Sequence, residues 1–293
     1  MSTVFRHYDQ AALDREYDNR AKVADFADFL ARYRAASDTL RRQRPGQELA
    51  YGPHPAARLD IFPPLAAPPG AAPVHVFIHG GYWKSLGKHE FAFTANAAPE
   101  ALTVVLDYPL IPTVDMDTLV AHCRQALIWL YRHIADHGGD PRRIVVSGHS
   151  AGGHLAALLL ASDWPALDPG LPADPVRAIL GLSGLYDLEP IRRCFLNAEL
   201  HLDGAAVAKH SPLNHLPPAD TTALLAVGEQ EGHEYARQSR VQVEAWIQHI
   251  DARVLLTPDH HFSIVSQLER PDTPLARRLQ TLLEGSTHAT GPL

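Results

Sequence analysis

Short runs rich in β-branched and other apolar residues alternate along the chain with longer stretches whose apolar positions recur at helical spacing. The short runs fall at 48–51, 59–62, 74–78, 102–106, 144–147, 178–182, 223–227 and 253–256, and turn-forming or polar residues bound them. These predict strands. Helical spacing is clear over 9–44, where Val23, Phe26, Phe29, Leu30 and Tyr33 mark one apolar face before Pro45-Gly46 ends the segment. It returns over 115–137, 154–160 and 233–249, and a final helix is expected after 262. The stretch 63–73 reads as a Pro/Ala/Gly loop. Over 188–218 periodicity is weak, and the segment reads as an excursion over the sheet, a cap. The tail 285–293 reads as frayed.

Strands that are apolar on both faces and separated by helices predict a mostly parallel sheet covered on both sides. The fold class is therefore α/β, with one domain over 1–293, a helical extension over 1–45 and the cap over 188–218. In such sheets chemistry gathers at the carboxyl ends of the strands. The clusters of Gly, His, Ser and acidic residues all follow predicted strands.

Composition narrows the function class. A length of 293 residues with 46% hydrophobic content supports a sizeable core, and a net charge of −7 argues against a nucleic-acid or anionic-membrane surface. Two cysteines, Cys123 and Cys194, give no disulfide framework, so a reducing compartment is the default. The first residues, MSTVFRHYDQ, carry no apolar signal region, and no run is long enough to span a bilayer. The expected setting is cytoplasmic and the expected partner a small-molecule substrate; a homodimer is left open. Among the 18 histidines, His133 and His137 lie four apart on one helix face. They also precede Gly138-Gly139, where a cation suits a helix C-terminus, and this reading is preferred to a metal site.

The densest chemistry is at 143–160. A β-branched run leads into Gly148-His149-Ser150-Ala151-Gly152-Gly153, and helix formers follow. Strand, G-x-S-x-G and helix together are the context of a nucleophile elbow, a sharp turn that lifts a serine hydroxyl into the open. The helix N-terminus behind it favours developing negative charge. A serine needs a positioned base. His260 and His261 follow the last strand, and His261 is favoured because Phe262, Ile264 and Val265 resemble a helix start that would anchor its ring inward. The acid belongs after the strand ending at Val227, where Glu229, Glu231 and Glu234 compete, with Asp259 as an outlying candidate. His79-Gly80-Gly81 ends another strand. It offers backbone N–H groups of Gly81 and Tyr82, with that of Ala151, as an oxyanion hole. Tyr82, Trp83 and His149 flank these groups and are read as substrate-binding.

His-Gly-Gly-Tyr-Trp at 79–83 with Gly-His-Ser-Ala-Gly-Gly-His at 148–154 resembles the arylformamidase (kynurenine formamidase) branch of the α/β-hydrolase fold. That branch lies near the hormone-sensitive-lipase-like esterases, which carry a third Gly where Tyr82 stands. Tyr17-Asp18-Asn19-Arg20, Ser183-Gly184-Leu185-Tyr186-Asp187, Glu234-Tyr235 and His261-Phe262 extend the resemblance over nearly the whole chain. It implies Ser150 as nucleophile, His261 as base and Glu231 as acid, where members often have Asp. It also implies hydrolysis of N-formyl-L-kynurenine to kynurenine and formate, with no metal or other cofactor. A carboxylesterase for short acyl or aryl esters is the alternative, and a non-catalytic hydrolase-fold binding protein the remote one.

Overall fold

The computed structural model describes residues 3–66 and 70–285, so most of the tail read as frayed, and part of the 63–73 loop, lie outside the described residues. The strands are β1 (Gln47–Ala50), β2 (Arg58–Phe62), β3 (Ala72–Ile78), β4 (Leu102–Leu106), β5 (Gly139–His149), β6 (Val176–Leu182), β7 (Thr222–Gly228) and β8 (Asp251–Thr257). They form one sheet in the order β1-β2-β4-β3-β5-β6-β7-β8. β1 and β2 pair antiparallel, as do β2 and β4, and every later pairing is parallel.

Three helices precede the sheet: α1 (Gln10–Tyr17), α2 (Asn19–Lys22) and α3 (Phe26–Gln43). Within the sheet region lie α4 (Met116–His133), α5 (Ala151–Leu160) and α6 (Trp164–Leu167), followed by α7 (Glu189–Arg193), α8 (Asn197–Leu200) and α9 (Gly204–His210). α10 (His233–Trp246), α11 (Ser263–Ser266) and α12 (Pro274–Gly285) complete the set. The period of two along each strand divides the core. Val76, Ile78, Val104 and Val146 face a cluster that includes Leu127 of α4 and Leu155 of α5. Phe77, Val105, Val145 and Leu180 face the other side, against Tyr33 and Leu40 of α3 and Leu279 of α12. Each such side chain contributes about 1.5–3 kcal/mol by leaving water.

Three sequence expectations are corrected here. The sheet is not covered everywhere: β8 is an edge strand, and Val254 and Leu256 are exposed, Leu256 by 58%. The helix expected over 115–137 is α-helical only to His133; a 3₁₀ turn finishes it at Gly138, which takes φ 87°. The His133 and His137 rings lie 5.0 and 6.2 Å from that of Trp129. The final helix is split, because the short α11 is separated from α12. Periodicity over 188–218 is weak because its helices run only four to seven residues, too short to show a repeat. Among the described residues no helix is long and apolar enough to cross a membrane.

Candidate active site

Ser150 stands between β5 and α5 with φ 57° and ψ −118°. A non-glycine residue held there stores about 1–3 kcal/mol of strain and persists only where its surroundings fix it. The Ser150 N–H donates to the Leu182 carbonyl at 2.8 Å, which ties the turn to the end of β6. The flanking glycines permit it. A Cβ on Gly152 would sit 2.0 Å from the Ile78 oxygen, and one on Gly148 2.1 Å from the Gly152 oxygen. The motif spacing is thus a packing requirement: strand β3, the elbow and the helix touch backbone to backbone.

Glu231 and His261 follow β7 and β8, which lie beyond β6 on the same side of the sheet. His261 Nδ1 and Glu231 Oε2 are 2.6 Å apart, and both residues are buried. The other carboxylate oxygen, Oε1, accepts from Ser183 Oγ and from the Gly228 N–H, each at 2.6 Å. The carboxylate is therefore oriented by two donors, with one oxygen left for the imidazole. With Nδ1–H donating to the Glu231 carboxylate, the ring has Nε2 as its acceptor. The competing acids are engaged elsewhere. Glu234 accepts from the Tyr17 hydroxyl at 2.8 Å and pairs with Arg237. Glu229 is exposed. Asp259 accepts from Ser263 Oγ and bonds Gln267. His260 uses Nδ1 to accept the N–H groups of Phe262 and Ser263, so it shapes the turn that delivers His261.

Ser150 and His261 line one cavity of about 330 Å³, together with Gly81, Tyr82 and His149. Leu30, Tyr33, Phe91 and Phe262 give it an apolar wall, and the Lys84–Glu199 ion pair stands at its solvent side. The volume suits a small ligand. On the loop after β3, Gly81, Tyr82 and Trp83 all have positive φ, at 103°, 51° and 58°. Glycine is required at 81, where a Cβ would meet the Ser85 oxygen at 2.1 Å. The N–H groups of Gly81 and Tyr82 have no acceptor among the described residues. The Ala151 N–H, at the start of α5, has no intrahelical partner.

His149 also borders the cavity. Its Nε2–H donates to the His261 carbonyl at 2.7 Å, and burial holds its pKa well below the ordinary value, so the ring is neutral. Trp83 does not fit the substrate-contact reading. It is fully buried, absent from the cavity wall, and its indole N–H donates to His154 Nδ1 at 3.1 Å. The loop's left-handed path turns that side chain under the loop rather than into the cavity. His154 in turn donates from Nε2 to the His210 carbonyl at 2.7 Å, at the end of α9. His79 donates from Nδ1 to the Gly80 carbonyl and stacks on Tyr108, which places it as a loop support.

Residues that sequence reasoning gave no role also border the site. Asn19, Tyr17 and Tyr235 are buried around the Tyr82 phenol, and Ser183 orients the acid. Each lies in a segment that carried the family resemblance, which was the available signal.

Burial of neutral histidines has a measurable cost. Desolvation lowers His75 and His154 to about 3, from an ordinary value near 6.5. Between those limits the unfolded chain binds more protons than the folded one, so stability falls as pH drops below about 6.5. At pH 5 each of the two is expected to remove about 2 kcal/mol relative to pH 7.5. Urea unfolding followed by tryptophan fluorescence at pH 7.5, 6 and 5 should show the midpoint falling; an unchanged midpoint would contradict it.

With this geometry in hand, similarity to known proteins can be read. A family model described as BD-FAE matches residues 59–245. Kynurenine formamidase of Danio rerio is 28% identical over 259 residues, spanning 85% of this chain and 83% of the fish protein. The crystal structure of a candidate thioesterase from Silicibacter sp. TM1040 superimposes with TM-score 0.78 at 28% identity, over 90% of this chain and 97% of its own. EstE1, a thermophilic carboxylesterase from a metagenomic library, superimposes with TM-score 0.66 at 18% identity, over 91% and 96%, which speaks to the fold. The parallel sheet with its serine turn, and the family match over most of that sheet, lead to one conclusion: this chain belongs to the BD-FAE family and is an enzyme of the α/β-hydrolase fold, a hydrolase.

Proposed function

We propose that the chain is a serine hydrolase whose preferred substrate is an aryl formamide, N-formyl-L-kynurenine, cleaved to L-kynurenine and formate. The observation that carries the mechanism is the Glu231–His261 pair opening onto the same cavity as a serine held at a strand-to-helix elbow. Ser150 Oγ attacks the formyl carbon while His261 Nε2 takes its proton. Glu231 keeps the imidazole in the required tautomer and stabilises its charged form. The N–H groups of Gly81, Tyr82 and Ala151 bind the oxyanion. Collapse expels the aryl amine, which leaves with the proton from His261. Water, activated by the same imidazole, then releases formate and restores the serine. Tyr82 and His149 border the bound substrate.

Two features favour the aryl formamide. One is the similarity to a kynurenine formamidase along most of the chain. The other is a cavity with an aromatic and aliphatic wall next to a charged pair, which suits an aryl body bearing an amino-acid head. The structural likeness to EstE1 supports the second reading, a carboxylesterase for short acyl or aryl esters. The two free, buried thiols suit a reducing compartment, and we place the protein in the cytosol.

The discriminating measurement is kcat/KM of the purified protein for N-formyl-L-kynurenine and for phenyl acetate under the same conditions. The formamide is expected to be the better substrate. A much larger value for the ester would transfer the main role to the esterase reading.

A further inference from the structure

The loop after β3 has a conformational problem that glycine solves only at position 81. Tyr82 and Trp83 are not glycine, yet both hold positive φ, a strained conformation that persists only where the surroundings over-determine it. For Trp83 the restraint is His154. For Tyr82 it is the side-chain hydroxyl, which meets three groups from two separate parts of the chain. It lies 2.7 Å from the Tyr17 carbonyl, 2.9 Å from Asn19 Nδ2 and 2.8 Å from the Tyr235 hydroxyl. Asn19 Nδ2 also reaches the Tyr235 hydroxyl at 2.6 Å.

The donors in this cluster can be assigned one by one. A carbonyl only accepts, so the Tyr82 proton goes to Tyr17. Tyr82 must then accept from both other neighbours, so the Tyr235 proton goes to Tyr82. The two Nδ2 protons of Asn19 go one to each phenol oxygen. Every donor among these four residues is used, while Asn19 Oδ1 has no partner among the described residues and the Tyr235 hydroxyl also faces the Ser150 side chain. Tyr17, Asn19 and Tyr235 are all buried, so water cannot replace a lost partner cheaply.

The cluster joins elements on every side of the reaction centre. Tyr17 ends α1, Asn19 opens α2, and Tyr235 lies in the first turn of α10, behind the loop that carries Glu231. The Tyr235 ring centre is 4.7 Å from that of His261. The same N-terminal segment reaches the other two site loops: Lys22 Nζ donates to the Glu231 carbonyl at 2.9 Å, and the Tyr33 hydroxyl donates to the Phe262 carbonyl. Tyr17, Asn19, Lys22 and Tyr33 lie in residues 10–43, outside the 59–245 matched by the family model.

We infer that Asn19 and Tyr235 are positioning residues that act through the Tyr82 hydroxyl to hold the Gly81 and Tyr82 N–H groups toward the oxyanion, so that the N-terminal helices complete the catalytic site. This rests on the serine-hydrolase reading. A phenol held at three points leaves the Tyr82 backbone little freedom to relax toward negative φ. Releasing it lets the donors swing by a fraction of an ångström, which costs transition-state binding and spares ground-state binding.

The test uses the full chain with Tyr82→Phe and Asn19→Ala, each assayed at a temperature where circular dichroism shows it folded. Both should lower kcat about 10- to 100-fold, up to the effect of losing one oxyanion donor, with KM changed less than about threefold. Affinity for an aryl trifluoromethyl ketone, which forms a tetrahedral adduct with the serine, should fall by a similar factor. Inhibition by the planar aryl amine product should not change. A purely structural role would lower the melting temperature and leave the ratio of ketone to product affinity at the wild-type value. That ratio unchanged overturns the inference whatever kcat does, and so does a loss confined to KM. Failure of the underlying reading looks different: wild-type protein would escape a fluorophosphonate probe, and Ser150→Ala would stay active. Labelled wild type with fully active Tyr82→Phe and Asn19→Ala would sink the positioning role alone.

Discussion

Replacement of Ser150 by alanine is expected to lower kcat by about 10⁴-fold or more, with KM little changed. Alanine removes only Oγ. It keeps the Cβ, the N–H that bonds Leu182 and a side chain small enough for the turn. The elbow and the oxyanion donors survive, so residual activity would come from binding and electrostatic stabilisation without a nucleophile. Steady-state turnover of N-formyl-L-kynurenine and loss of fluorophosphonate labelling check the same atom by independent routes. A variant with near-normal turnover would remove the covalent mechanism outright.

Glu231→Gln should be almost as damaging, at about 10³- to 10⁴-fold in kcat, although it changes one atom. Ser183 Oγ–H and the Gly228 N–H both donate to Oε1 and so fix the amide oxygen there. The amide NH₂ is then forced toward His261 Nδ1, at the position where a carboxylate oxygen now sits 2.6 Å away. Two donors cannot face each other, so the imidazole must move its proton from Nδ1 to Nε2. That is the nitrogen which has to accept from Ser150. The loss arises from tautomer and charge together, with geometry intact. Wild-type melting behaviour alongside the kinetic loss is the expected signature, and a loss below tenfold would remove Glu231 from the acid role.

The strands were legible in the sequence because buried parallel strands are apolar on both faces, and the elbow because its glycines answer a steric requirement. The candidate base could be narrowed to His260 or His261, and the apolar residues after 261 point inward for the reason the structure displays: His260 closes the turn on Phe262 and Ser263. The acid was harder. Glu229, Glu231 and Glu234 lie within six residues, and only the path of the loop sends one to the imidazole and another to Tyr17 and Arg237. The exposure of β8 was hidden because Val254, Leu255 and Leu256 read as apolar, and sheet-edge position is set by strand order, which no local pattern encodes. The contacts of Trp83, read as substrate-binding, and of Asn19, given no role, were hidden for the same reason. Their partners are 71, 63 and 216 residues away, and nothing in a local window distinguishes a ring facing a ligand from one facing another helix.

His154 grips the segment after β6 by a main-chain oxygen, that of His210, rather than by a side chain. Any amino acid at 210 presents the same carbonyl. Mutational drift can therefore rewrite exposed side chains of that segment while this mooring to the imidazole beneath the Trp83 indole persists; the buried His210 ring, bonded to Asp117, is a second mooring that drift at 210 itself would remove.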